Sequence, residues 1–459
     1  MPDTARTEDL STRLRGELVT PEDAAYDEAR AVWNAMIDRR PALIARCRDA
    51  EDVAAAVGFA RDRGLRLAVR GGGHNIAGSG VCDDGLVIDL SPMSAIEVDP
   101  RARVARVEGG ALLGDLDCAT QAFGLAVPAG VVSTTGVAGL TLGGGFGWLA
   151  RKHGLAADNL LSVELVTAAG ERLRASSEEN PELFWGLRGG GGNFGVATAF
   201  EFRLHPLGPE VFFGPTFYRL EEAAEVLAHY RDFAHAAPPE VCVWADLLTA
   251  PALPFIPEAY HGSKVLSLMQ FHAGDPEDGA AALAPLRGFG TPIADAAGPL
   301  PYTTAQSLLD ETYAKGLRNY WTPQNFTELS DAAIDALVTL AAQLPTPQSD
   351  ILISQVGGAI NEVAPEASAY PHRNTAFVVT PGARWTDPAG DGPALAWIHA
   401  CREALAPLAS GGAYVNFIAE SQGREQEAYG GNYARLAALK ARYDPENLFR
   451  FNQNLRPPT

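Results

Sequence analysis

The sequence predicts an α+β protein of more than one domain, and three observations carry that prediction. At 459 residues, with 47% hydrophobic and 20% charged, the chain can bury more than one core. Through its N-terminal half, apolar runs of strand length alternate with amphipathic stretches of helix length. Glycine runs at 71–73, 143–145 and 189–192 sit at the joints of that alternation.

Thr20-Pro21-Glu22-Asp23 offers a cap, a proline at the first helical position and acids in the first turn, so a helix is expected from there toward Trp33. Asp49 caps a second helix over 49–63, whose apolar stripe is Val53, Val57 and Ala60 and whose stop is Gly64. A strand over 65–69 then delivers the chain into the first glycine run. Further strands are expected at Leu86–Leu90, Val104–Glu108, Leu161–Thr167 and Ala197–Leu204, with a helix from about Ala111 to Phe123 ended by Gly124. Asn180-Pro181-Glu182 opens another short helix. The glycines at 189–195 follow that helix and precede a strand, which is the reverse of the dinucleotide fingerprint and excludes a Rossmann reading. Pro206-Leu207-Gly208-Pro209 marks a domain boundary.

The formal charge of −20 argues against a nucleic-acid or anionic-membrane surface, which needs a basic footprint. Met1–Asp9 has neither a basic nor an apolar leader region and no later stretch is long and apolar enough to span a bilayer, so a cytoplasmic protein is expected. Cys47, Cys82, Cys118, Cys242 and Cys401 are odd in number and widely spaced, which suits reduced thiols rather than disulfides or zinc. The nine histidines are dispersed, and no catalytic metal is expected. The oligomeric state is not legible.

The chemistry concentrates in Arg70-Gly71-Gly72-Gly73-His74-Asn75, Gly130-Val131-Val132-Ser133-Thr134-Thr135-Gly136 and Gly143-Gly144-Gly145-Phe146-Gly147. Glycines allow backbone N–H groups to close on a pyrophosphate without a Cβ in the way. The pattern reads as a flavin site with one nucleophilic imidazole.

These segments, together with Tyr429-Gly430, Tyr443-Asp444-Pro445-Glu446-Asn447-Leu448-Phe449 and Asn452-Gln453-Asn454, resemble the FAD-linked oxidases of the vanillyl-alcohol oxidase and berberine-bridge-enzyme superfamily from about Pro41 onward. The chain is most similar to the monocovalent bacterial branch that includes 6-hydroxy-D-nicotine oxidase and the enterocin-pathway favorskiiase. The resemblance implies a two-part FAD-binding domain of the PCMH type over 1–207. It also implies a substrate domain over 208–410, with an antiparallel sheet covered by helices, and a C-terminal segment over 411–459 that returns to the flavin. His74 stands where the family bonds FAD covalently. Val132 stands where many relatives carry a second attachment cysteine, which implies monocovalent FAD. Arg70, Gly71, Gly72, Gly73, Asn75, Val131, Thr134, Thr135, Gly136, Gly139, Gly143, Gly145, Gly147, Val196 and Asn452 are the expected cofactor contacts. The threonine hydroxyls either reach the flavin or only close their turn.

In the same family a Tyr-x-Asn-Tyr or Tyr-x-Asn-Phe strand meets the substrate, which makes Tyr414 the first candidate for general base and Asn416 its companion. With a free pKa near 10, Tyr414 needs either a depressed pKa or proton transfer concerted with hydride loss. Phe417 replaces a second tyrosine, and Gln355 is a candidate substrate contact. Glu362 and His372 can titrate but suit structure better. Tyr218, Trp244, Tyr320 and Trp321 wall an aromatic pocket or belong to the core. The expected function is an FAD-dependent oxidase that takes hydride from a small alcohol or secondary metabolite, with dioxygen reoxidising the flavin. Flavin-dependent oxygenation of a polyketide-like intermediate, amine oxidation and a non-enzymatic redox sensor are the alternatives.

Overall fold

Three main sheets carry the architecture in the computed structural model, which describes residues 9–420 and 423–457. The first orders the strands Glu17–Val19, Leu43–Arg46, Leu86–Asp89 and Leu67–Arg70; the last three run parallel and the outer Glu17–Val19 antiparallel. Helix Ala50–Asp62 leads from one parallel strand toward the next. Asp49 caps it by accepting the Asp52 amide, and Val53, Ala56, Val57 and Ala60 bury its apolar stripe. Strand Leu86–Asp89 is buried along its whole length, as a parallel strand covered on both faces requires.

The second sheet is antiparallel, in the order Ile96–Asp99, Val104–Glu108, Val196–Arg203, Leu160–Val166 and Arg172–Ser176. Helix Leu113–Gln121 lies beside it, and helix Pro181–Leu187 precedes the glycine run that feeds Val196. Val104–Glu108, Val196–Arg203, Leu160–Val166 and Leu113–Gln121 fall within two residues of their expected bounds at either end, whereas the edge strands Ile96–Asp99 and Arg172–Ser176 are not among the expected ones. The helix expected from Thr20 does not form. Both the Thr20 amide and hydroxyl donate to the Asp23 carboxylate, closing a side-chain turn that competes with the helix, and only Tyr26–Arg30 is helical.

The third sheet is antiparallel, with the main order Ala294–Asp295, Glu210–Arg219, Lys264–His272, Val241–Thr249, Asp350–Gln355, Phe377–Trp385 and Arg318–Trp321. Helices Ala223–Ala236, Asp331–Ala341 and Asp391–Leu405 cover one face, burying Leu227, Leu337 and Ile398 against Val243, Ile353 and Val379. The opposite face, with Trp244 and Met269, meets Trp148, Phe146 and Tyr414. Among the described residues no helix is long and apolar enough to cross a membrane, and the five cysteines are unpaired.

Helix Tyr433–Tyr443 fixes the chain's return. The Lys440 ammonium, fully buried, donates to Asp444 and to the carbonyls of Asn193 and Phe449, while Asp444 accepts the amides of Leu448 and Phe449. That hub ties residues 449–455 to the glycine run at 189–192. Removing one partner of a buried pair leaves the other charge uncompensated, at a cost of about 3–5 kcal/mol. Lys440→Met is therefore expected to lower unfolding free energy by about that amount in chemical denaturation, and a loss below about 1 kcal/mol would contradict the role of the hub.

Candidate flavin and substrate site

Strand Leu67–Arg70 ends at the mouth of an elongated cleft with about 1980 Å³ of atom-free space, its open mouth included. Arg70, Gly71, Gly72, Gly73, His74 and Asn75 line one end, together with Gly130, Val131, Val132, Thr135, Gly136 and Gly139. The approach of the two segments decides why they are glycine. A Cβ on Gly72 would lie 2.5 Å from the Gly136 nitrogen, so neither position admits a side chain without parting the backbones. The Arg70 guanidinium does not project as a free cation; it pairs with buried Asp89 on the neighbouring parallel strand at 2.8 Å and stiffens the turn from beneath.

The His74 imidazole stacks on Trp33, with centroids 4.4 Å apart and planes 22° from parallel. Its Nε2 is buried and finds no hydrogen-bond partner among the described residues. Burial pushes the imidazole down to about 4, with Asp310 opposing, so the ring is neutral at neutral pH. Val132, at the position of the family's second attachment, packs with Trp33, Ile76, Tyr313 and Trp321. The Ser133 amide and hydroxyl both donate to Asp310, and Gln306 donates to the Gly130 carbonyl. The 130–136 segment is thus gripped by residues that follow the third sheet's outer strands.

Not every expected cofactor contact reaches the cleft wall. Thr134 points to solvent and lies outside it. Gly143 lies against the Asn416 carboxamide, the Gly145 amide donates to the Tyr414 hydroxyl at 3.1 Å, and Gly147 abuts the Ala129 carbonyl, so these three back the wall rather than form it. Val196 is buried in the core behind the first sheet, while its neighbours Gly195 and Ala197 line the cleft. Asn452 lines it, with Nδ2 donating to the Gly192 carbonyl.

Tyr414, 2% exposed, lines the cleft with Asn416 and Phe417. The expected strand here is instead a single 3₁₀ turn, Val415–Phe417. The Tyr414 hydroxyl accepts from Asn416 Nδ2 at 2.8 Å and from the Gly145 amide. Both bonds favour the phenolate, but burial outweighs them and pushes the group up to about 12. Burial thus works against a depressed pKa, and the Tyr414 hydroxyl, which only accepts in these two bonds, keeps its own proton free to be donated.

Gln355 is turned away from the cleft. Its Oε1 accepts the Val243 amide and its Nε2 donates to the Ala234 carbonyl, fastening helix Ala223–Ala236 to the sheet. His372 bonds the Ala428 carbonyl, and Tyr218 belongs to the helix-covered core, whereas Trp244 and Trp321 line the cleft. Sequence reasoning missed Tyr313, Asp350, Thr380 and Arg384 on the sheet side and Gly191 and Gly192 at the far end. The signal for the sheet residues was the strand alternation, since Asp350, Leu352 and Ser354 alternate with the core residues Ile351 and Ile353.

A long cleft walled at one end by abutting glycines and an unpartnered imidazole, and at the other by an aromatic sheet face, fits a flavin nucleotide beside a small organic substrate. Such a fold and site define a flavin-dependent oxidoreductase. The comparisons agree: a family model described as "FAD binding domain" matches residues 41–176, and one described as "Berberine and berberine like" matches residues 413–456. An uncharacterised FAD-linked oxidoreductase of Bacillus subtilis (strain 168) is 31% identical over 454 residues, covering 97% of this chain and 98% of the relative. The (R)-6-hydroxynicotine oxidase of Paenarthrobacter nicotinovorans is 33% identical over 470 residues, covering 97% of each. The crystal structure of 6-hydroxy-D-nicotine oxidase from Arthrobacter nicotinovorans superposes with a TM-score of 0.87 at 31% identity, covering 97% of this chain and 98% of that one. The chain belongs to the berberine-bridge-like FAD-linked oxidoreductases of the vanillyl-alcohol oxidase superfamily.

The abutting glycines make one expectation sharp. Gly136→Ala inserts a methyl against the Gly72 backbone, so it is expected to destabilise the fold by about 1–3 kcal/mol and to cut FAD content measured by absorbance. Full flavin content with unchanged melting would show that the two segments are not in contact.

Proposed function

We infer that the chain is an oxidase of small organic molecules, with FAD attached through His74 alone and a substrate C–H presented from the side of the third sheet. The observation that carries this reading is the neutral His74 imidazole, its buried Nε2 without a partner among the described residues, in the same cleft as Tyr414. Bound FAD supplies the two-electron acceptor and passes the electrons to dioxygen. Gly71, Gly72, Gly73, Gly136 and Gly139 give the flavin nucleotide close backbone approach, and Gly191, Gly192 and Asn452 border its other end. Val132 carries no thiol, which supports a single covalent bond.

Tyr414 hydrogen-bonds the hydroxyl or amine of the substrate. Held by Asn416 and the Gly145 amide, which both donate to its oxygen, the neutral phenol donates its own proton to that group and orients the adjacent C–H, because a free phenolate is too costly at this site. Phe146, Trp244 and Phe417 surround the same point and exclude water. The name of the Paenarthrobacter relative supports a small hydroxylated or amine-bearing substrate.

The test is anaerobic bleaching of the purified yellow protein by a panel of aromatic alcohols and amines, followed by recovery of colour in air. Tyr414→Phe is expected to slow bleaching about 10²-fold while leaving flavin content intact. If no compound bleaches the flavin, the redox-sensor reading gains. Because the folded Tyr414 pKa lies above its ordinary value, ionisation is complete only beyond about 12, and the bleaching rate should show no tyrosine limb between pH 6 and 10. A tenfold rise per pH unit in that window would mean that the phenolate is the reacting form. For attachment the sign is opposite: the imidazole, pushed down to about 4, is neutral above that value. FAD incorporation into apoprotein should be level from pH 8 to 5 and fall only toward pH 4, whereas a midpoint near 6.5 would place His74 in water.

A further inference from the structure

The sheet side of the cleft carries buried charge that the redox role leaves unused. Strand register sets Asp350 opposite Gly382 and Leu352 opposite Thr380, and Asp246 lies opposite Leu352 on the next strand, so these residues share one face of the sheet; the first four line the cleft and Asp246 stands beside them. Arg384 pairs with Asp350, the Tyr313 hydroxyl donates to the same carboxylate at 3.3 Å, and the guanidinium carbon lies 4.5 Å from the Tyr313 ring centroid. Asp350 and Arg384 are each 2% exposed. Asp246 Oδ1 is also buried and has no hydrogen-bond partner among the described residues. Two carboxyl groups therefore stand against one guanidinium, with Tyr313 the other titratable group in electrostatic contact with them.

We propose that Asp246, Asp350, Arg384 and Tyr313 form the recognition site for a substrate bearing a protonated amine. Burial and the neighbouring Asp350 raise Asp246 well above the usual carboxylate range, which favours one ion pair and one carboxylic acid in the unliganded cluster. An arriving ammonium restores that balance when Asp246 ionises. An anionic ligand would find Arg384 already committed to Asp350. A neutral hydroxyl would compete with the resting acid without changing the charge count. Trp321, which lines the cleft with its Nε1 buried and without a partner among the described residues, adds an aromatic wall suited to a cation on a flat body. This inference rests on the oxidase reading of the cleft only in taking its occupant to be the substrate.

The experiment is anaerobic titration calorimetry of flavin-loaded protein near pH 7 with benzylamine and its neutral isostere benzyl alcohol, each in two buffers of different ionisation enthalpy. Benzylamine is expected to bind at least about tenfold tighter than the alcohol and to release about one proton per site. Asp246→Asn, isosteric with the resting acid, should abolish that release and weaken benzylamine by at least about tenfold, while alcohol binding stays unchanged. Equal affinity for the two probes, amine binding without proton release, or no binding of either overturns the proposal. The oxidase reading fails separately: a protein that binds the amine with proton release but never takes up flavin would keep the amine site and lose the oxidase.

Discussion

The cleft depends on one contact without side chains: the turn at Gly72 meets the turn at Gly136 closely enough that a methyl on either would part them. The first turn ends a parallel strand and the second opens the helix Val137–Leu142, so the contact joins the first sheet to the helix behind the second. With the backbones this close, the wall presents main-chain atoms and the half-buried His74, and the Trp33 stack fixes where the imidazole lies. Arg70 contributes to this rigidity through its buried pair with Asp89.

The third sheet completes the site through a few directional bonds. Asp310 takes two hydrogen bonds from Ser133, Gln306 reaches the Gly130 carbonyl, and the Trp33 indole donates to the Tyr313 carbonyl at 2.8 Å. Asn34 bonds both Ile76 and Asn319 through its amide. The wall that carries His74 is thereby registered against the wall that carries Asp350 and Arg384. From the far end, the Lys440 hub brings Asn452 and Gln453 against the glycine run at 189–192. Three distant stretches of chain therefore share one cleft, and each is held there by buried polar groups with few alternative partners.

What the sequence disclosed follows from how local each constraint is. The turn at 71–73 and the cap at Asp49 are local, since a handful of adjacent residues determine them. The Thr20 helix failed because Asp23 can serve either as a first-turn acid or as the acceptor of a side-chain turn, and composition does not choose between these. Gln355 failed for a parity reason. On Asp350–Gln355 it shares the face of Ile351 and Ile353, which pack under the helices, while Asp350 and Leu352 take the cleft. Val196 differs from Gly195 and Ala197 by the same one-residue step. Apolar pattern located the strand at Val196–Arg203 and the resemblance pointed to Gln355, but neither fixed which side of the strand faces the cleft. The polar cluster on the sheet was invisible for a further reason: its members lie on separate strands and in a loop, joined only by register.

The central claim is that His74, neutral and without another partner among the described residues, is the attachment point of the flavin. The most direct measurement is the intact mass and absorbance spectrum of acid-denatured protein, wild type beside His74→Ala. The account predicts that the wild-type chain keeps the mass and colour of one FAD and that the variant chain loses both. Flavin that washes off both chains alike would contradict it, leaving His74 a neighbour of the cofactor and the flavin held by the glycine cradle alone.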